Sequence, residues 1–255
     1  MAPKDPLGVQ LYSFRKFPPL EQQLETVRRC GFTNVETFGA LHEDVAGLAA
    51  ALKHHGLTAK SGHFALAMVE SELARVVDIA GALAMPFVVA PHIVAGLRPS
   101  DAAGWAALGE RLAEAAGRLR AQGLRFAWHN HDFEFRPLAD GSYPIEHLLA
   151  EGVEWEADVA WVIKAGVDPK PWLERYRGRT PLVHVKDIAA PGEKADEDGW
   201  ADVGAGTVAW PQLWDLAVAV GAEIMIAEHD NPSDPERFAR ESAAAMRAYA
   251  ARGEA

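Results

Sequence analysis

The sequence predicts a (β/α)8 barrel, and three observations carry that expectation. Eight short apolar, often β-branched runs recur along the 255 residues. Most are followed by a segment of amphipathic, helical period, and several of those segments stop at a glycine directly before the next run. A doubly wound sheet would usually use fewer strands, and no glycine-rich linker, charge block or low-complexity tract divides the chain. A single domain over 1–255 is therefore expected.

The elements follow in order. LGVQLYSF (7–14) is the first strand and LEQQLETVRRCG the helix behind it. TNVETF (33–38) is the second strand, leading into EDVAGLAAALKHHG, and TAKSGHF (58–64) is the third, leading into SELARVVDIAGALA. FVVAPHI (87–93) is the fourth, with LGERLAEAAGRLRAQG after it. LRFAWHN (124–130), EWEADVA (154–160), LVHVKDI (182–188) and EIMIAEHD (223–230) complete the eight, and a last helix runs from Pro235 to Arg252. The junctions RRCGF, KHHGL and RAQGL each put glycine where a helix end needs positive φ. The polar stretch 190–206 reads as a long loop after the seventh strand.

Composition narrows the function. Lys plus Arg number 25 against 36 Asp plus Glu, a net charge of -11 that repels phosphate backbones, so no nucleic-acid partner is expected. The start MAPKDPLGVQLYSF has no signal-length apolar run and no segment reaches membrane-span length, which predicts a soluble, cytoplasmic protein with no membrane partner. The single cysteine, Cys30, excludes an internal disulfide and a multi-cysteine metal site, and reads as a helix packing residue. No glycine-rich phosphate fingerprint follows the first strand, which leaves a nucleotide cofactor without support.

Barrel enzymes place their chemistry at the C-terminal ends of the strands. Here those ends carry Glu36, His63, His92, His129 with His131, Asp158, His184 with Lys186 and Asp187, and Glu228 with Asp230. Imidazole and carboxylate donors together suit a divalent metal such as Mn, Mg, Co, Zn or Fe. Asp158, His184 and Glu228 are the core ligand candidates, each on a different strand, and the fourth ligand is expected from strand five. If His129 points inward, the two-residue alternation also turns His131 inward and Asn130 away, so that one imidazole ligates while the other faces substrate. A metal polarising a carbonyl lets a nearby base take the adjacent proton. His131 is the leading acid/base, Glu228 a second candidate, and Glu134 a rival for either role at strand five. Glu36, His63, Lys186 and Asp230 are expected to bind substrate, with Trp161 and Phe38 as a sugar-stacking wall. Plainer readings stand beside these: a surface ion pair for Lys186 and Asp187, a rim anchor for Glu36, exposed helix positions for His42, His54, His55 and His147, and a structural role for His229.

The runs VETFGA, AWHNHDFEF, EADVAWVIKAGVDP, LVHVKDI, DVGAGTVAWPQLWDLAVAVG and IAEHDNP resemble those of the sugar phosphate isomerase/epimerase family, the xylose isomerase-like TIM barrels that include inosose dehydratase, ketose 3-epimerases and type-four apurinic endonucleases. The resemblance spans nearly the whole chain. It implies a metal held by an acidic residue of strand five, an aspartate of strand six, a histidine of strand seven and a glutamate of strand eight, the last three matching Asp158, His184 and Glu228. Strand five departs from the epimerase pattern, because His129 stands where those enzymes have glutamate, and the HxH form is similar to the dehydratase and lyase branches. The expected function is a metal-dependent sugar isomerase or epimerase. The alternatives are a dehydratase or lyase on a keto-inositol or 3-keto glycoside and a non-catalytic sugar-binding barrel. A small carbohydrate is the expected partner, and self-association would be supported by an apolar outer helix face.

Overall fold

The computed structural model describes residues 5–252. Its strands and helices alternate as β1 (Asp5–Gln10), α1 (Leu20–Arg29), β2 (Asn34–Phe38), α2 (Val45–His55), β3 (Thr58–His63), α3 (Leu66–Ser71), α4 (Leu73–Ala82), β4 (Phe87–Ala90), α5 (Ala102–Arg120) and β5 (Arg125–His129). They continue as α6 (Pro144–Leu148), β6 (Glu154–Asp158), α7 (Val159–Lys164), α8 (Pro169–Arg175), β7 (Leu182–Val185), β8 (Asp187–Ile188), β9 (Trp200–Ala201), α9 (Trp210–Val220), β10 (Ile224–Ala227) and α10 (Pro235–Arg252). Strands β1 to β7 and β10 close into a parallel barrel in the order β1-β10-β7-β6-β5-β4-β3-β2, as the eight-unit reading requires. Strands β8 and β9 form a separate antiparallel ladder inside the long loop after β7.

Two apolar layers hold the barrel. Phe87, Val89, Ala127, Leu182, Ile224 and Ile226 form one cluster of inward-facing strand residues. The larger cluster alternates with it along the same strands, as Val88, Phe126, Trp128, Val183 and Met225, and packs against the helices. The helix-ending glycines behave as their positions demand: Gly56 sits at φ +64° and its N–H closes α2 onto the Leu52 and Lys53 carbonyls.

Several strands stop earlier than their apolar runs suggest, each for a local reason. The Gln10 side chain accepts from the Tyr12 N–H and turns Leu11–Phe14 into a 3-10 turn. β4 ends before Pro91, which has no N–H to extend the ladder. β6 ends because Asp158 caps α7, accepting the Trp161 N–H at 2.9 Å. An additional short helix, α3, precedes the expected fourth-unit boundary. Among the described residues no helix is long and apolar enough to cross a membrane.

His42 departs from its expected exposed position. It is 4% exposed, stacks on Phe64 at 4.4 Å between ring centroids and pairs with Thr37 Oγ1 at 2.8 Å. Burial, reinforced by the His63 charge, lowers its pKa from 6.5 to about 4. The unfolded chain therefore takes up a proton between pH 6.5 and 4 that the folded chain refuses, and stability falls as pH drops through that window. His42→Gln should reduce the loss by up to roughly 3 kcal/mol. Urea denaturation of both proteins across pH 4–7 checks this; parallel curves would remove His42 as a source.

Candidate functional site

The register of the barrel brings the polar strand ends together. Asp158 on β6 pairs with His184 on β7, and His129 on β5 pairs with Glu156 on β6. Glu156 and Asp158 share one face of β6, and His184 shares its face with Lys186. His129, Asp158, His184 and Glu228 are all buried, and one donor atom from each lies within 4.8 Å of the others. His63, His129, Glu156 and His184 meet the same condition one layer deeper.

The HNHDFEF segment at the end of β5 resolves into separate tasks. His129 and His131 both line the barrel mouth, their ring centroids 5.1 Å apart. Asn130 points the other way. It accepts from the Asp158 N–H at 2.9 Å and Trp155 Nε1 at 2.8 Å and donates to the Asp158 carbonyl, so it ties the end of β5 to the end of β6. Glu134 is fully buried, and its two oxygens accept from Trp128 Nε1 at 3.0 Å and the His131 N–H at 2.9 Å. Its carboxylate thus anchors the loop that presents His131, a different placement from the expected ligand or base. Burial raises Glu134 to about 8 against those hydrogen bonds.

Beneath the mouth lies a lattice of alternating charges. Glu36 Oε1 sits 3.0 Å from His63 Nε2 and 2.8 Å from His184 Nε2, and it accepts from Gln10 Nε2 at 2.7 Å. Glu156 Oε2 lies 2.7 Å from His63 Nε2. The other nitrogen of His184 faces Glu228 Oε2 at 2.9 Å. Burial opposes ionisation of Glu36, but His63 and His184 outweigh it and hold Glu36 well below the usual carboxylate range. Burial and the like charge of Glu36 push Glu156 up to about 8. Burial likewise disfavours charge on His63 and His184, yet the surrounding carboxylates win, raising His63 to about 10 and His184 well above its ordinary value.

Lys186, expected at substrate or in a surface ion pair, is instead enclosed by three carboxylates. It is 0% exposed, with Nζ 3.3 Å from Asp158 Oδ2, 3.0 Å from Glu228 Oε2 and 2.8 Å from Asp230 Oδ2. Burial alone would lower its pKa, but the three carboxylates raise it and keep the ammonium. Glu228 is held low because Lys186 and His184 outweigh its burial, whereas Asp158 rises to about 6 through burial and the Glu228 charge despite Lys186. A surface ion pair between Lys186 and Asp187 is thereby corrected: alternation sends the two side chains apart. Asp187 instead accepts the N–H groups of Ile188, Gly204 and Val208. The DVGAG loop is wrapped on this carboxylate, and a Cβ on Gly206 would fall 2.2 Å from Asp187 Oδ1.

A cavity of about 870 Å³ opens above the lattice, lined by His63, His129, His131, Glu228 and Asp230 on its polar side. Phe38 lines it and meets Tyr12 edge-on. Three residues expected at substrate are placed elsewhere. Glu36 is 0% exposed beneath the imidazoles, Lys186 is sealed among carboxylates, and Trp161 packs against His131 and Trp200 outside the cavity lining. His54 is exposed and His55 and His147 are half-buried, while His229 is buried and accepts from the Asn231 N–H, as a structural residue should. Sequence reading missed Glu156. Its signal was present: it stands two residues before Asp158, on the same face of the strand, while Trp155 and Ala157 between them face the helices.

The donor set fits a divalent cation. It is made of imidazole and carboxylate atoms, it is buried, and His129 Nδ1 lies 3.2 Å from Glu156 Oε2 without hydrogen-bonding geometry, so that a buried polar atom is left unsatisfied. Glu36 on the far nitrogen of His184 fixes the ring in the manner of a carboxylate that orients a ligating histidine.

A closed parallel barrel with titratable groups gathered at its C-terminal mouth defines the class. The chain belongs to the xylose isomerase-like TIM barrel family, whose model matches residues 24–249. It is similar to the crystal structure of a sugar phosphate isomerase/epimerase from Parabacteroides distasonis, at 21% identity over 93% of this chain and 92% of that one, with a TM-score of 0.79. A xylose isomerase-like TIM barrel protein from Mycobacterium smegmatis in complex with magnesium aligns at 17% identity over 98% and 97% of the two chains, TM-score 0.70. A probable 3-DHS dehydratase, AsbF, from Bacillus anthracis aligns at 11% identity over 94% and 97%, TM-score 0.71. At these identities the likeness is one of fold. No curated protein matches the sequence.

Proposed function

We propose that the protein is a divalent-metal-dependent sugar isomerase or epimerase that removes a proton next to a carbonyl of a sugar or keto-sugar. The observation that carries this reading is the convergence of His129, Asp158, His184 and Glu228 on one point, with His131 beside them in the same open cavity. Those four residues would hold the cation. Bound there, it would supply Lewis acidity, drawing electron density from a carbonyl and acidifying the neighbouring C–H.

The remaining roles belong to the side chains. His131 is the base. Its ring lines the cavity 5.1 Å from His129, and burial, with the Lys186 charge next, lowers its pKa to about 3, so it is neutral at physiological pH but a weak base that serves only a strongly acidified C–H. Glu228 is the second candidate for moving a proton, and His63 and Asp230, which line the cavity, would bind sugar hydroxyls. Lys186 neutralises the ligand carboxylates, and Glu36 and Glu134 orient His184 and the His131 loop respectively.

One observation favours elimination as a second reading. Strand five supplies His129 rather than a carboxylate, so the cavity lacks a pair of carboxylates from strands five and eight on opposite faces of a carbon. A single base acting on one face serves a dehydratase or lyase as well as a one-face isomerisation.

Dialysis against a chelator should abolish turnover of a responsive ketose or keto-sugar, and Mn, Mg, Co, Zn or Fe should restore it. In D2O an isomerase or epimerase product carries solvent deuterium on carbon, whereas elimination yields an ultraviolet-absorbing enone. Full turnover without any divalent metal would sink the proposal.

A further inference from the structure

Among the described residues, three large apolar side chains stand most exposed: Tyr12 at 39%, Val94 at 56% and Leu97 at 70%. All three line the same cavity, the one that ends on His129, His131 and Glu228. Exposed apolar side chains scattered singly need no explanation, but their concentration in one cleft points to a ligand surface. Leu66 and Ile93 extend the apolar wall between them, so the cavity is polar over the strand ends and mostly apolar beyond them, where its charged lining is the Glu70–Arg111 ion pair.

Size agrees with this division. At about 870 Å³ the cavity lies near the top of the roughly 300–1,000 Å³ range that encloses a drug-sized ligand, far more than one sugar ring fills. A free monosaccharide seated over the lattice would leave Val94 and Leu97 in water. We infer that the substrate is a keto-sugar conjugate, a glycoside whose oxidised sugar ring, bearing the carbonyl, sits at the polar end and whose aryl or similarly apolar aglycone lies against Tyr12, Leu66, Ile93, Val94 and Leu97. This rests on the sugar reading above and extends it to the substrate class.

The test is equilibrium binding, which is independent of turnover. Methyl and 4-nitrophenyl members of matched pairs, the α- and β-glycosides of common hexoses and their 3-keto forms, are titrated against wild type and Val94→Asp/Leu97→Asp by calorimetry. Both substituted positions are on the surface, so the variant is expected to fold, and circular dichroism verifies it. For at least one pair the nitrophenyl member should bind wild type about tenfold or more tightly than the methyl member. In the double variant that advantage should fall to near one, with methyl binding unchanged. Equal binding of the two members by wild type, no measurable binding of any nitrophenyl glycoside, or an equal loss of both members in the variant would each overturn the inference. If the nitrophenyl advantage holds but nothing is converted, the catalytic reading fails and the apolar subsite stands. If free ketoses are converted with no gain from an aryl group, the reverse is true.

Discussion

Replacing Asp158 by asparagine should strip the metal and the activity together, while replacing His131 by alanine should lower kcat/KM by about 10²–10⁴-fold at unchanged metal content. Both substitutions keep the backbone contacts that shape the site. Asparagine at 158 keeps the oxygen that accepts from the Trp161 N–H, so the cap of α7 survives, while the anionic ligand and its ion pair with Lys186 are lost and Glu228 and Asp230 still hold the ammonium. Alanine at 131 keeps the backbone N–H that Glu134 holds, so the loop after β5 retains its anchor. Metal analysis and steady-state kinetics on the same preparations separate the roles. If His131→Ala also releases the metal, His131 is a ligand and the base must be sought in Glu228. If Asp158→Asn keeps both metal and turnover, the cation lies elsewhere, and the deeper group of His63, His129, Glu156 and His184 becomes the candidate.

Much of this architecture is legible in the chain, and its limits have physical causes. The eight strands are visible because parallel strands covered on both faces read as continuous apolar runs, and the long helices because their period repeats over several turns. Helices α3, α6, α7 and α8 have five to seven residues each, too few for that period to register. At the site, Asp158, His184 and Glu228 are legible because each stands within one residue of the end of a strand. Glu156 is not, because mid-strand polar residues attract no notice until the pleat is followed inward. His42 reads as an exposed helix position because it leads into the amphipathic run EDVAGLAAALKHHG, and the packing of Phe64 and Thr37 against it removes it from water. For Lys186 and Asp187, adjacency suggested a pair, while strand alternation sends one into the barrel mouth and the other into the loop behind it.

Lys186→Met should be the most destabilising single change at the site, by about 3–5 kcal/mol in metal-free protein at neutral pH, because it leaves buried carboxylates without their cation. Methionine fills much the same volume, so packing contributes little and the loss is electrostatic. Asp158, Glu228 and Asp230 would then face one another with His184 and the more distant Arg15 and Lys164 to offset them, so Glu228 would rise from its depressed value and Asp158 and Asp230, already raised by burial, would rise further. Groups raised in this way destabilise the fold above their unfolded pKa and cease to do so as pH falls and they protonate. The deficit relative to wild type should therefore shrink between pH 7 and pH 4.5. Asp158 and Glu228 would help hold a divalent cation, whose positive charge would offset theirs, so saturating metal should recover part of the deficit at pH 7. Urea denaturation at both pH values, with and without metal, checks each step. A deficit that ignored both pH and metal would mean that Lys186 supports the fold through packing alone, and that its contacts with the ligand carboxylates are incidental to how the site holds charge.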